Sequence, residues 1–129
     1  MLLAVVLGAC TSSHPTSSPS NLPGTTTTTV SVPPYNPAKN ARQDVTVGAC
    51  IDRGTKGWSL SGTVRNSAAT PRGYSIAVDF VTVPGDTVVD TKLVTVARVQ
   101  PQASARWLAT GAAPGVKNLT CVVRQTLAT

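Results

Sequence analysis

The sequence predicts an all-β protein, a small sandwich of six or seven antiparallel strands behind a disordered linker. Three observations lead there. Apolar and polar residues alternate with period two again and again from Val45 onward, which marks strands with one buried face. Turn-forming residues such as Pro84-Gly85-Asp86 separate those runs, and no segment carries a convincing helical period. Serine, threonine and proline dominate the stretch before them. The chain has 129 residues, enough for one ordinary domain and little more.

The expected strands can be taken in order. VTVGACI puts Val45, Val47, Ala49 and Ile51 on one face. WSLSGTVRN puts Trp58, Leu60, Gly62 and Val64 on one face, with Ser59, Ser61, Thr63 and Arg65 on the other. YSIAVDF sets Tyr74, Ile76, Val78 and Phe80 against Ser75, Ala77 and Asp79, which places Asp79 toward solvent. TVVDTKLVTVARV is one long strand whose alternation slips at Val88-Val89 and again at Leu93-Val94, so bulges are expected there. ASARWLA groups Ala105, Trp107 and Ala109, and NLTCVVRQT groups Leu119, Cys121 and Val123. Short strands with regular turns over residues 45–129 argue a sandwich of immunoglobulin-like type, with a barrel or open meander as the alternative.

Residues 10–44 read differently. Five consecutive threonines, Thr25 to Thr29, sit among serines and prolines. Such a stretch buries too little apolar surface to offset the entropy of ordering, and a disordered or polyproline-like tether is expected. Its reach is roughly 30 Å as a coil and about 100 Å if fully extended. The only histidine, His14, lies in this tract without acidic or cysteine neighbours, and an inert role is expected for it.

Before the tether, six apolar residues from Leu2 to Leu7 are followed by Gly8, Ala9 and Cys10. A membrane-spanning helix needs roughly 20 apolar residues, so this run does not cross a bilayer. An apolar run closed by small residues has the form of a secretory signal's end. Leu7-Gly8-Ala9-Cys10 resembles the lipobox of bacterial lipoproteins. That resemblance implies that residues 1–9 are a signal peptide, removed by cleavage before Cys10. It implies further that Cys10 carries a diacylglyceryl thioether facing the extracytoplasmic side of the cell membrane. Each buried methylene adds about 0.8 kcal/mol of membrane affinity, so two or three chains anchor firmly. No lysine or arginine precedes the apolar run, and the signal is expected to begin upstream of Met1.

Cys50 and Cys121 remain, one on the first expected strand and one on the last. An exported chain meets an oxidising compartment, so a structural disulfide is expected. Metal binding would need further ligands, and no histidine lies in the domain. No Cys-x-x-Cys motif suggests a redox pair.

Together these strands, W-S-L-S-G-T-V-R-N-S, Y-S-I-A-V-D-F, G-D-T-V-V-D, V-x-V-A-R-V-x-P and A-R-W, resemble the FxLyD-like domain. That family comprises small immunoglobulin-like β-sandwich modules of bacterial envelope proteins. The likeness covers about residues 46–124, and Pro101-Gln102 departs from the family's frequent Pro-Gly. It implies a fold and an extracytoplasmic setting, with no catalytic residues and no cofactor.

The residues themselves point the same way. A nucleophile needs a base, and the domain has no histidine while the chain has no glutamate. Asp86 and Asp90 flank a turn, where aspartates serve local ends. The net charge is +6, but the basic residues are scattered singly, which argues against nucleic acid and leaves anionic lipid, wall polymer or an envelope protein as partners. Trp58 and Trp107 fall on the apolar parity, as core residues rather than a sugar-binding surface. Arg65, Arg98, Arg106 and Arg124 fall on the polar parity, and would form one basic face if their strands share a sheet. The functional expectation is a non-catalytic, membrane-anchored lipoprotein presenting an interaction or structural module. The alternative is a lipoprotein that binds an anionic polymer or solute through that arginine face.

Overall fold

A computed structural model describes residues 30–111 and 115–129. The strands are β1 (Val45–Asp52), β2 (Trp58–Arg65), β3 (Arg72–Thr82), β4 (Val88–Val99), β5 (Ser104–Gly111) and β6 (Leu119–Ala128). Single 3-10 turns at Pro37–Lys39, Arg42–Asp44 and Gly54–Lys56 are the only helical elements among the described residues. The strands form two three-stranded antiparallel sheets, ordered β1-β2-β5 and β4-β3-β6.

The inner faces meet in one core. Trp58, Leu60, Val64, Trp107 and Ala109 come from the first sheet, and Tyr74, Ile76, Val78, Phe80 and Val96 from the second. Both tryptophans are therefore core residues, as their parity predicts. Gly62 makes room for one of them. It lies opposite Trp107 in the β2–β5 register, and a Cβ there would fall 2.6 Å from the indole ring and collide with the Thr46 carbonyl. Only glycine lets so large a ring lie flat over the strand. The Cys50–Cys121 disulfide joins β1 to β6, and so one sheet to the other, with a Cα–Cα distance of 5.6 Å. On the opposite side β5 runs close to β4. A Cβ on Gly111 would lie 2.8 Å from the Phe80 ring and within 2.9 Å of Lys92.

Bulges set the register at several points, and one of them corrects the expected faces. In β1 the register jumps between Val47 and Cys50. The extra residue in Gly48-Ala49 turns Cys50 inward, where it packs on the core, and leaves Ala49 and Ile51 exposed rather than facing inward with Val45 and Val47. In β4 the expected bulge at Val88-Val89 is present, because Phe80 pairs with Asp90 and Val81 with Val88. The slip expected at Leu93-Val94 is not a bulge. Those residues pair regularly with Ala77 and Ile76, and the second register shift falls at Ala97-Arg98 instead. Leu93 breaks the pattern because it packs beside Ala77 on an outer face that is itself covered, Ala77 being fully buried. Alternation reports which side is wet, and here both sides are partly dry.

Residues just upstream of Val45 also pack on the strands. Asn40 bridges to Leu127, the Ala41 amide donates to the Thr126 carbonyl at 3.0 Å, and both Ala41 and Asp44 are buried. Residues 40–44 lack the Ser/Thr/Pro bias of the tether upstream, and their backbone finds partners along the free edge of β6. Farther upstream, the Gln125 Nε2 donates to the Pro33 carbonyl at 2.6 Å.

Candidate functional site

The four arginines expected on one face are split by the sheet order. Arg65 on β2 and Arg106 on β5 share the first sheet. Thr63 lies directly opposite Arg106, so Arg65 and Arg106 are diagonal neighbours on the same outer face, about 7–8 Å apart at Cα. Arg98 and Arg124 belong to the second sheet. Arg98 is exposed at the β4 bulge, and Arg124 is tied down. Its Nε donates to Asp79 Oδ2 at 2.7 Å, while Thr91 Oγ1 donates to Asp79 Oδ1 at 2.7 Å. Asp79 has the outward parity expected of it, but these two partners bury it. The expected four-arginine face is thus corrected to a pair. The reason is topological, because parity gives the side of a strand but not the sheet to which the strand belongs.

The outer face of the β1-β2-β5 sheet is open. Thr46 on β1, Ser61, Thr63 and Arg65 on β2, and Ser104, Arg106, Leu108 and Thr110 on β5 are all exposed. Near its middle lies a shallow depression of about 530 Å³, lined among others by Gly48, Ser61, Thr63, Arg106 and Leu108. The side-chain-free bulge residue Gly48 leaves the hollow beside Ser61. At the lower end Arg53 folds over β2 and its Nε donates to Ser59 Oγ at 2.7 Å. At the upper end Arg65 donates to Gln102 at 3.2 Å. No aspartate lies on this face. Asp52, at the end of β1, pairs across from the inward Trp58 and accepts the Gly54 amide at 2.8 Å. Arg53, Ser61, Thr63 and Leu108 escaped the sequence reading as site residues. The alternation of WSLSGTVRN already marks Ser61 and Thr63 as outward, but only the β2–β5 pairing sets them beside Arg106.

A second polar cluster, at the end of the sandwich where the chain enters, is structural. Asp44 Oδ1 accepts from Ser67 Oγ at 2.5 Å, and Oδ2 accepts from the Tyr74 hydroxyl at 2.8 Å. Arg72 stands 3.9 Å from the same carboxylate. Burial raises the Asp44 pKa, but the Ser67 and Tyr74 hydrogen bonds and the Arg72 charge outweigh it and hold the value below 3.8. Burial, then the bond to Asp44, pushes the Tyr74 phenol up to about 12 from 10.0. Both shifts set the pH dependence of stability. The Asp44 contribution is present above pH 3.8 and fades as the pH falls through its lower folded-state value. Below pH 10 the phenol is protonated folded or unfolded; between pH 10 and about 12 only the fold keeps the proton. Stability therefore falls as the pH rises through that window, by up to about 3 kcal/mol. Urea titrations across pH should show both limbs, and Tyr74→Phe should remove the alkaline one from this residue. An alkaline limb unchanged in Tyr74→Phe would contradict the assignment.

The Trp58 indole donates to the Val116 carbonyl at 2.8 Å. Trp107 is buried in the core, and its ring reaches the floor of the depression. Among the described residues no group of three His, Cys, Asp or Glu side chains could hold a metal ion. No helix among them is long and apolar enough to cross a membrane. Cys10, the signal peptide over residues 1–9, His14 and the threonine run lie outside the described residues. No family model, no curated protein and no solved structure matches this chain.

Proposed function

We propose that this chain is a non-catalytic, lipid-anchored envelope protein. In this reading Cys10 carries the anchor, the Ser/Thr/Pro tract is the tether, and the tether displays an immunoglobulin-like module similar to the FxLyD-like domain on the extracytoplasmic side. The observation that carries the reading is the Cys50–Cys121 bridge across the two sheets. Structural disulfides persist in oxidising compartments and are rare in the cytosol. An apolar segment ending in Leu-Gly-Ala-Cys supplies the route to such a compartment. The strand order adds support for the fold type. Sheets β1-β2-β5 and β4-β3-β6 correspond to the A-B-E and C′-C-F strands of an immunoglobulin-like Greek key. The chain enters the domain along the β6 edge, so the outer face of the β1-β2-β5 sheet stays free for contacts with an envelope partner.

The test is fractionation with a clickable palmitate analogue. The wild-type chain should carry label and sediment with membranes, and Cys10→Ser should lose the label and appear in the soluble fraction. An unlabelled wild-type chain, or a Cys10→Ser variant that stays with membranes, would overturn the anchor.

A further inference from the structure

We propose that the outer face of the β1-β2-β5 sheet is a binding site for a linear polymer of phosphodiester-linked polyols, gripped by Arg65 and Arg106 with Arg53 at the far end. The inference goes beyond the display reading, since it assigns the displayed face a ligand.

The two outer faces of the sandwich differ in charge. The β4-β3-β6 sheet carries acids that pair with two of its cations, Arg124 with Asp79 at 2.7 Å and Lys92 with Asp90 at 3.4 Å, and leaves Arg98 exposed at the bulge. The β1-β2-β5 face carries arginines and no acid. Arg106 has no hydrogen-bond or ion-pair partner among the described residues, and Arg65 is held only by neutral Gln102. These cations are spread along the strand direction, Arg65 and Arg106 as neighbours and Arg53 beyond them. Arg53 covers position 59 of β2, Arg106 stands across from position 63, and Arg65 ends the strand. At about 3.3 Å per residue the three span roughly 20 Å. A compact anion would call for all three to converge. Guanidinium groups spread over that length instead match a chain with charges at intervals, each group giving a phosphate two parallel N–H donors.

Between the cations lie hydroxyls. Ser61 and Thr63 flank the depression, with Thr46, Ser104 and Thr110 exposed around it. Hydroxyl donors and acceptors suit the hydroxyls of a polyol backbone. The face has no exposed aromatic ring, because Trp58 and Trp107 point into the core. Single-stranded nucleic acid relies on stacking against such rings, so it fits poorly. A protein partner would want several aromatic or aliphatic anchors at the centre, and here Leu108 alone lines the hollow as an exposed aliphatic side chain, beside Gly48 and the hydroxyls of Ser61 and Thr63.

The test uses the full chain carrying Cys10→Ser, which separates binding from anchoring. Purified poly(glycerol phosphate) is titrated by calorimetry, beside polygalacturonate and phosphatidylglycerol vesicles. Saturable binding to poly(glycerol phosphate) is expected, weakening roughly tenfold as salt rises from about 50 to about 200 mM. The Arg65→Gln/Arg106→Gln double variant should lose at least about tenfold in affinity and most of the salt dependence, with circular dichroism unchanged. Arg98→Gln, on the other sheet, should bind like the parent. Absence of binding, binding indifferent to the double variant, or preference for the polycarboxylate or the vesicles would each overturn the proposal. None of these outcomes bears on palmitate labelling of Cys10.

Discussion

Replacing Cys50 and Cys121 by serine is expected to lower the unfolding free energy by about 4 kcal/mol. The bridge closes a loop with a sequence separation of 71 residues, and the chain-entropy model assigns most of its effect to the unfolded state, which the cross-link restricts. The native state also depends on it. The two sheets share no ladder of hydrogen bonds, so apart from the connecting loops their register against each other rests on side-chain packing and on the disulfide cross-link. The core is short of large side chains, since aromatic residues make up 4% of the sequence. Small domains are stable by only about 5–15 kcal/mol in all. Urea unfolding of oxidised wild type and of the double serine variant should show the midpoint falling by about 2–3 M. A midpoint displaced by less than about 0.5 M would show that packing alone holds the sheets.

Asn66→Asp is expected to cost about 3–5 kcal/mol at neutral pH, enough to unfold most of the population. Asn66 is fully buried just past the end of β2. Its Nδ2 donates to the Thr70 carbonyl at 2.8 Å and to the Val99 carbonyl at 2.9 Å, while its Oδ1 accepts the Ala68 amide at 2.9 Å. Its backbone pairs with Ala103 and Gln102. One residue thus closes the β2–β3 loop, its side chain reaching the end of β4 and its backbone the start of β5. A carboxylate there would put negative oxygens where both donors now face carbonyls. The sign of the pH effect separates this cause from a general loss of packing. Burial beside two carbonyls raises the new carboxyl's folded-state pKa, so the variant should be most stable at low pH and lose stability as the pH rises through about 4, the unfolded value. Stability of Asn66→Asp that does not fall between pH 3 and 7 would contradict this account.

The strands and their inward residues were legible because one face of each is wet and the other dry, and alternation records that contrast. WSLSGTVRN and YSIAVDF gave β2 and the centre of β3 almost to the residue. The signal fails where the contrast fails. Leu93 looked like a slip because the outer face beside Ala77 is itself covered. Gly48-Ala49 hid a bulge because two small residues carry no hydropathic signal, and the faces of Cys50 and Ile51 were reversed as a result. The candidate site was half legible. Arg65 and Arg106 were found by parity, and Arg98 and Arg124 were wrongly grouped with them, because nothing local in β4 or β6 states which sheet will take it. Asp44 was invisible for a related reason. Its partners Ser67, Arg72 and Tyr74 lie more than 20 residues away in sequence, and only the closed sandwich brings them within bonding distance.

One cysteine is expected to anchor this chain while the other two close its fold in an oxidising compartment. Mass spectrometry of the protein isolated from its native membranes under non-reducing conditions tests it most directly. The expected result is an acylated Cys10 at the mature N-terminus, residues 1–9 removed, and a peptide pair linked through Cys50 and Cys121. An unmodified Cys10 still joined to Ala9, with Cys50 and Cys121 as free thiols, would contradict it.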